Sequence, residues 1–323
     1  MIVIPNITLL MKIPTLQLQD SKLDKVYELL KGTAFAATDV IDAKILKSNS
    51  MQMNRIARVL NYAISFMSVF WVGSFYFKRY FDRTEVVHSY VPFRTDTWAN
   101  YTISVLLECG PILWIGFGHI SLDILVATFY AQAQTQLKMI KHQLTQLYNE
   151  EGENKLSTFN FQYKDFTDGT VFQRLVQVVN RFERLVWYKN EIDSIFNYSL
   201  SFQFLAATSG VCLVIYRMTV VSVTSFPFIF LALLFCVLLT QVFLYCYFGN
   251  LVEFESRSIN DSLYLSDWAS LSPSFRRLLL VAMTRWSQPI RPQVCGIIPL
   301  SLTTFVQILK SSYTLYTVLE AAK

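Results

Sequence analysis

Charge is scarce in this sequence. Asp, Glu, Lys and Arg make up 16% of its 323 residues, against about 25% in an ordinary soluble domain, while hydrophobic residues reach 53%. Catalytic signatures are missing too. There is no Gly-rich phosphate loop, no HExxH, no Ser-His-Asp grouping and no zinc spacing, so the chain is not expected to be an enzyme or to hold a metal or other cofactor. The five cysteines (Cys109, Cys212, Cys236, Cys246, Cys295) lie mostly inside apolar runs, which reads them as packed small hydrophobes rather than a disulfide framework. The basic residues are scattered and mixed with acids, so nucleic acid is not implied. No cleavable signal peptide is evident: Met1 to Met11 is apolar but lacks a basic start, and Pro5 and Pro14 interrupt it.

What the sequence has is long apolar runs. A helix needs roughly 20 predominantly apolar residues to cross a bilayer, and five segments qualify: 56–77, 103–130, 199–216, 226–249 and 296–319. The second carries Glu108, His119 and Asp123, and the third and fourth nearly touch across a short link. The expected fold class is all-α, a polytopic transmembrane helical protein forming one membrane domain over 1–323.

Lys and Arg number eight in residues 1–58, four in 78–100, eight between the second and third spans, one in the short link and five between the fourth and fifth. Basic-rich and poorer segments alternate, which places the N-terminus inside and the C-terminus outside. Lys78, Arg79 and Arg83, just past the first span, argue the other way. On this topology residues 1–55 form a cytoplasmic N-terminal segment with no convincing span, and 131–194 and 250–292 are cytoplasmic helical regions. Leu137, Ile140, Leu144 and Leu147, then Leu175, Val178, Phe182 and Leu185, recur at helical spacing, with a polar loop from Glu150 to Gly169 between them. Phe275 to Trp286 reads as a further helix, ended by Pro289 and Pro292.

Several polar residues fall within spans. Thr303, Gln307, Lys310, Thr314 and Thr317 share one face of the last span. Two readings are open: this stripe adjoins an aqueous pore, or it makes interhelical hydrogen bonds with Lys310 snorkelling. His119 and Asp123, four apart, read as a structural polar pair. Aromatics crowd the outer halves of the early spans (Phe70, Trp71, Phe75, Tyr76, Trp98, Tyr101, Trp114); they suit an apolar ligand pocket and equally an aromatic belt. Of four N-x-Ser/Thr sequons (Asn6, Asn100, Asn197, Asn260) only Asn100 falls in an expected outer loop.

The segment YCYFGNLVEFESRSINDSLYLSDWASLSPSFRRLLLVAMTRWSQPIRP, Tyr245 to Pro292, followed by SLTTFVQILKSSYTLYTVL, Ser301 to Leu319, resembles the tail of the insect odorant receptors. The likeness extends upstream through DILVATFYAQAQTQLKMIKHQLTQL, Asp123 to Leu147, and more weakly to about residue 50. The resemblance implies a seven-span, N-terminus-inside receptor, one subunit of a heterotetrameric cation channel that pairs an odorant-binding subunit with a common co-receptor. The expected partners are a small volatile odorant, the co-receptor and the lipid bilayer, and the expected place is the plasma membrane of olfactory sensory neurons.

Carried over, the resemblance makes Phe70, Trp71, Phe75, Tyr101, Leu107 and Phe228 pocket residues. Thr303, Gln307, Lys310, Thr314, Val318 and Ala322 then belong to the pore, with Val318 and Ala322 at its outer constriction. Tyr264, Trp268 and Trp286 belong to the intersubunit anchor. The five spans correspond to the third through seventh of the family, whose usual length exceeds this chain's; the first two are expected to be lacking. A gustatory-type receptor, which shares the architecture, and a truncated non-conducting variant are the alternatives.

Overall fold

The computed structural model describes residues 3–81, 93, 97–146, 168–223, 225–264 and 273–321. It is built almost wholly of helices: α1 (Val3–Leu18), α2 (Asp20–Lys31), α3 (Val40–Phe81), α4 (Trp98–Gln146), α5 (Asp168–Val220), α6 (Phe226–Arg257), α7 (Ile259–Tyr264), α8 (Pro273–Trp286) and α9 (Leu302–Ala321). A two-stranded antiparallel hairpin, β1 (Gln293–Val294) and β2 (Ile298–Pro299), joins α8 to α9.

Four of these helices, α3 to α6, are long and apolar enough to cross a membrane by length and composition. At about 1.5 Å rise per residue, the 49 residues of α4 and 53 of α5 run roughly 75–80 Å, more than twice the roughly 30 Å of a hydrocarbon core. Each therefore continues from its apolar span into the periodic segment beyond it. Leu137, Ile140 and Leu144 on α4 and Leu175, Val178, Phe182 and Leu185 on α5 are all buried, as their spacing requires. Leu147 lies outside the described residues.

The two ends of the bundle pack differently. The end made by the polar extensions is dense: Tyr130, Phe182, Tyr188, Phe248 and Trp286 are sealed in one core. Arg181 is buried there, donating to Gln136 Oε1 at 2.7 Å and to the Ala36 carbonyl at 3.2 Å, and its burial lowers the guanidinium pKa. The Tyr188 hydroxyl donates to the Phe129 carbonyl at 3.1 Å, and burial raises its pKa well above the ordinary value. The apolar end is more open. Only 6% of the most apolar stretch of α3 is buried within the chain, and Val59, Tyr62, Phe66 and Val69 face outward. Such a face is stable against lipid and not against water.

Local signals fix the helix ends. Ser225 caps α6, its Oγ accepting from the Phe228 N–H, and Pro227 sits in the first turn, where its missing N–H costs nothing. Gly32 closes α2. Before α9, Cys295 (φ 54°) and Gly296 (φ 65°) form a turn with both central residues left-handed. The Cys295 N–H donates to Asn197 Oδ1 at 2.5 Å, which steadies that unfavourable backbone. The hairpin explains why the last helix begins at Leu302 and not at residue 296 as the apolar run suggests. Gly249 of α6 meets Leu300 there so closely that an added Cβ would overlap the leucine side chain and carbonyl.

One element was not expected. Residues 3–18 form a helix in spite of Pro14, and α1 packs on α4 and α5 beside the residues of their apolar spans, whereas sequence reading put 1–55 wholly among the cytoplasmic segments. The two prolines, Pro5 and Pro14, read as interruptions of the apolar start, but Pro5 falls in the first turn, where a missing N–H costs nothing, and the helix runs on through Pro14.

Candidate functional site

A cavity of about 330 Å³ opens between α3, α4, α5 and α6, with Thr8 of α1 at one end. Its walls are layered along the helix axes. Trp71 and Phe230 form the end nearest the α5–α6 link, their rings 6.2 Å apart and inclined by 27°. Aliphatic side chains such as Ile64, Ile112, Leu213 and Leu234 make the middle, and Gly116 and Gly210 let the space widen. Polar side chains gather at the opposite end: Thr8, His119, Gln203 and Gln241. A smaller cavity of about 180 Å³ adjoins it between α3, α4 and α6, sharing Gln241 and reaching Asp123.

Behind the polar end lies a buried network. Lys12 Nζ donates to Asp123 Oδ1 at 2.5 Å and to His119 Nδ1 at 3.3 Å. His119 Nε2 contacts Thr8 Oγ1 at 3.2 Å, and the Tyr245 hydroxyl donates to Asp123 Oδ1. The lysine in the acceptor direction of Nδ1 assigns the ring proton to Nε2. The expected His119–Asp123 pair is therefore bridged by Lys12, a residue 111 positions from Asp123. One side-chain amide pair completes the floor, Gln203 Nε2 donating to Gln241 Oε1 at 3.1 Å.

The residues singled out for a pocket divide. Trp71 lines the cavity. Phe75 and Tyr101 do not line it: Tyr101, fully buried, forms a cluster with Val105 and Cys109 against which Trp71, Phe75 and Leu113 pack, and its hydroxyl donates to the Phe75 carbonyl at 2.9 Å. Phe70 stacks on Phe226 at 4.2 Å, and Phe228 is half-buried near the start of α6; neither lines the cavity. Leu107 is 59% exposed on the outer surface of α4. The cavity reaches deeper than the aromatic pattern suggests, because the large rings fill the outer space. Gln203 and Gln241, outside the aromatic pattern, line it as well; an amide inside an apolar run is a signal in itself.

On α9, Thr303, Gln307, Lys310, Thr314, Thr317 and Val318 are all exposed, while Thr304, Phe305, Ile308 and Ser312 face the bundle. With about 100° between successive residues, the polar stripe stands opposite the packed face. Phe305 meets Phe243 of α6 edge-on at 5.6 Å. Ala322 lies outside the described residues.

Of the expected anchor residues, Trp286 is buried within its own chain against Phe182, rings 6.3 Å apart. Tyr264 is 69% exposed, and Trp268 lies outside the described residues. Asn100 is half-buried in the first turn of α4, whereas the Asn197 and Asn260 side chains are engaged with Cys295 and Met283.

Apolar spans, a largely apolar cavity among them and polar helix extensions define a multi-pass helical membrane protein with an internal cavity. The chain belongs to the 7tm odorant receptor family, whose sequence profile matches residues 1–313. Odorant receptor 10 of Aedes albopictus is 24% identical over 173 residues, covering 51% of this chain and 46% of that receptor. Odorant receptor 22b of Drosophila melanogaster is 22% identical over 231 residues, covering 72% and 54%. The chain thus spans about half the length of these curated relatives. The insect olfactory receptor OR5 of Machilis hrabei, solved in complex with eugenol, has the same fold. Its TM-score is 0.80 over 99% of this chain and 80% of that one, at 14% identity.

Proposed function

We propose that this chain is an odorant-receptor subunit. It binds a small volatile organic molecule in the 330 Å³ cavity and, in a heterotetramer with a co-receptor, gates a non-selective cation channel in the plasma membrane of olfactory sensory neurons. The observation that carries this reading is the face of α9 bearing Thr303, Gln307, Lys310 and Thr314, exposed and turned away from its own bundle. Polar groups at membrane depth face protein or water in preference to lipid, so that face suits an aqueous path bounded by neighbouring subunits.

Coupling runs through α6. This helix supplies Phe230, Leu234 and Gln241 to the cavity and, one half-turn past Gln241, Phe243 to α9. A ligand that fits one arrangement of α6 better than another shifts the population of both, and with it the setting of α9.

The test is whole-cell current from cells expressing this chain with an insect co-receptor, scanned against a volatile panel. A reversible, ligand-dependent cation current is expected. Silence across a broad panel, with the chain verified at the cell surface, would overturn the reading.

A further inference from the structure

We infer that the cavity selects small alcohols and phenols, molecules with an apolar body and one hydroxyl at the end, seated with that hydroxyl on the Gln203–Gln241 amide pair. This rests on the cavity's being the ligand site and names the chemistry that it prefers.

The floor has four polar side chains, and two are already committed. Both ring nitrogens of His119 are engaged, by Thr8 and by Lys12, and Thr8 is held by the histidine. The amides are not. Their single hydrogen bond leaves Gln203 Oε1 buried without a partner, in a residue that is 4% exposed. It also leaves the Gln241 amide nitrogen with no hydrogen bond among the described residues. Reversing both amides changes which oxygen and which nitrogen are spare, not the result: one acceptor and one donor remain.

A hydroxyl meets both needs at once, donating to the spare oxygen and accepting from the spare N–H. An aldehyde, ketone or ester only accepts, so the buried oxygen stays unpaired. A hydrocarbon satisfies neither group. A carboxylate would bring negative charge beside Asp123, itself 1% exposed. Unmet buried polar groups cost enough to discriminate roughly tenfold to hundredfold between ligands, and a site built for a hydroxyl rejects the analogue lacking it more strongly than a hydrophobic pocket rejects a methylene.

Dimensions agree with a short amphiphile. From Gln203 to Val214 on α5, and from Phe230 to Gln241 on α6, the lining spans 11 residue steps, or about 16 Å at about 1.5 Å each. The volume holds roughly ten water-sized groups. The apolar body then reaches the rings of Trp71 and Phe230 while the hydroxyl sits on the amides.

The experiment is thermal stabilisation of the full chain, purified in detergent, titrated with 1-octanol, octanal and nonane, which match in length. Octanol is expected to bind at least tenfold more tightly than either analogue. In Gln203→Leu and, separately, Gln241→Leu, that advantage should fall below threefold while nonane binding is kept or improved, which also shows that the variants are folded. Equal affinities for the three probes, no binding of any of them, or an undiminished preference for octanol in both variants would overturn the inference. Because the readout is binding and not current, the two readings fail separately. Octanol-selective binding in a chain that never conducts removes the channel alone, and currents evoked equally by esters and alcohols remove the hydroxyl preference alone.

Discussion

Lys12 of α1 and Asp123 of α4 form an ion pair at 2.5 Å with their side chains 4% and 2% exposed. Neither charge reaches solvent, and α1 carries its lysine into the bundle solely opposite this carboxylate and the neighbouring imidazole.

Removing one partner strands the other. Lys12→Met is expected to destabilise the chain by about 3–5 kcal/mol, the usual result of leaving a buried charge uncompensated. Lys12→Met with Asp123→Leu should recover more than half of that loss, since the pair can be replaced by apolar packing. Thermal unfolding in detergent measures both. Equal loss in the single and double variants would mean that the network works through Tyr245 and His119 rather than through the ion pair.

Asp193 gives a pH dependence with a definite sign. It lies on α5 outside the apolar span, where Lys189 pairs with it at 3.0 Å, the Gln293 N–H donates to it at 3.0 Å and the Tyr130 hydroxyl at 2.9 Å. Burial nonetheless raises its pKa above the ordinary 3.8, the three partners offsetting only part of that. A carboxyl whose pKa is higher folded than unfolded contributes stability below the unfolded value and loses it as pH rises through the folded one. The unfolding temperature of the wild type should therefore carry a component that falls with rising pH across that window. Asp193→Asn should remove it; an unchanged slope would rule out Asp193 as its source.

Cysteine accessibility tests the face of α9. In a background with the exposed Cys236 and Cys295 replaced by serine, Gln307→Cys and Thr314→Cys should react with a charged, membrane-impermeant thiol reagent and change the current of the assembled channel. Ile308→Cys and Ser312→Cys, on the packed face, should not. Reaction at all four positions, or at none, would contradict the orientation.

How far these features can be read from sequence depends on how local their causes are. The apolar helices were legible because each is a property of one continuous run: 56–77, 103–130, 199–216 and 226–249 fall inside α3, α4, α5 and α6, which are long and apolar enough to cross a membrane by length and composition. The stripe on α9 follows from period alone, since Thr303, Gln307, Lys310 and Thr314 share a face in any helix. α1 was passed over because Pro5 and Pro14 read as breaks in its apolar run, and what holds it in the bundle, the pairing of Lys12 with a carboxylate 111 residues away, is not a local property. The cavity was half-legible. Trp71 belongs to it, but Phe70, Leu107 and Phe228 share its composition and not its position, and no single helix shows that Gln203 and Gln241 converge. That meeting is produced by the packing of α5 on α6, which aligns two amides 38 residues apart.

The outward stripe on α9 makes the bilayer itself a judge of company. A solitary copy would present hydroxyls, an amide and an ammonium group to hydrocarbon along the one side that its own helices leave bare. Such a copy is poorly dissolved in its own solvent, and its remedy is neighbours rather than refolding. On the proposed assembly, the number of chains that mature should follow the number of partners on hand to enclose that side, with chains made in surplus left behind, however well each has folded.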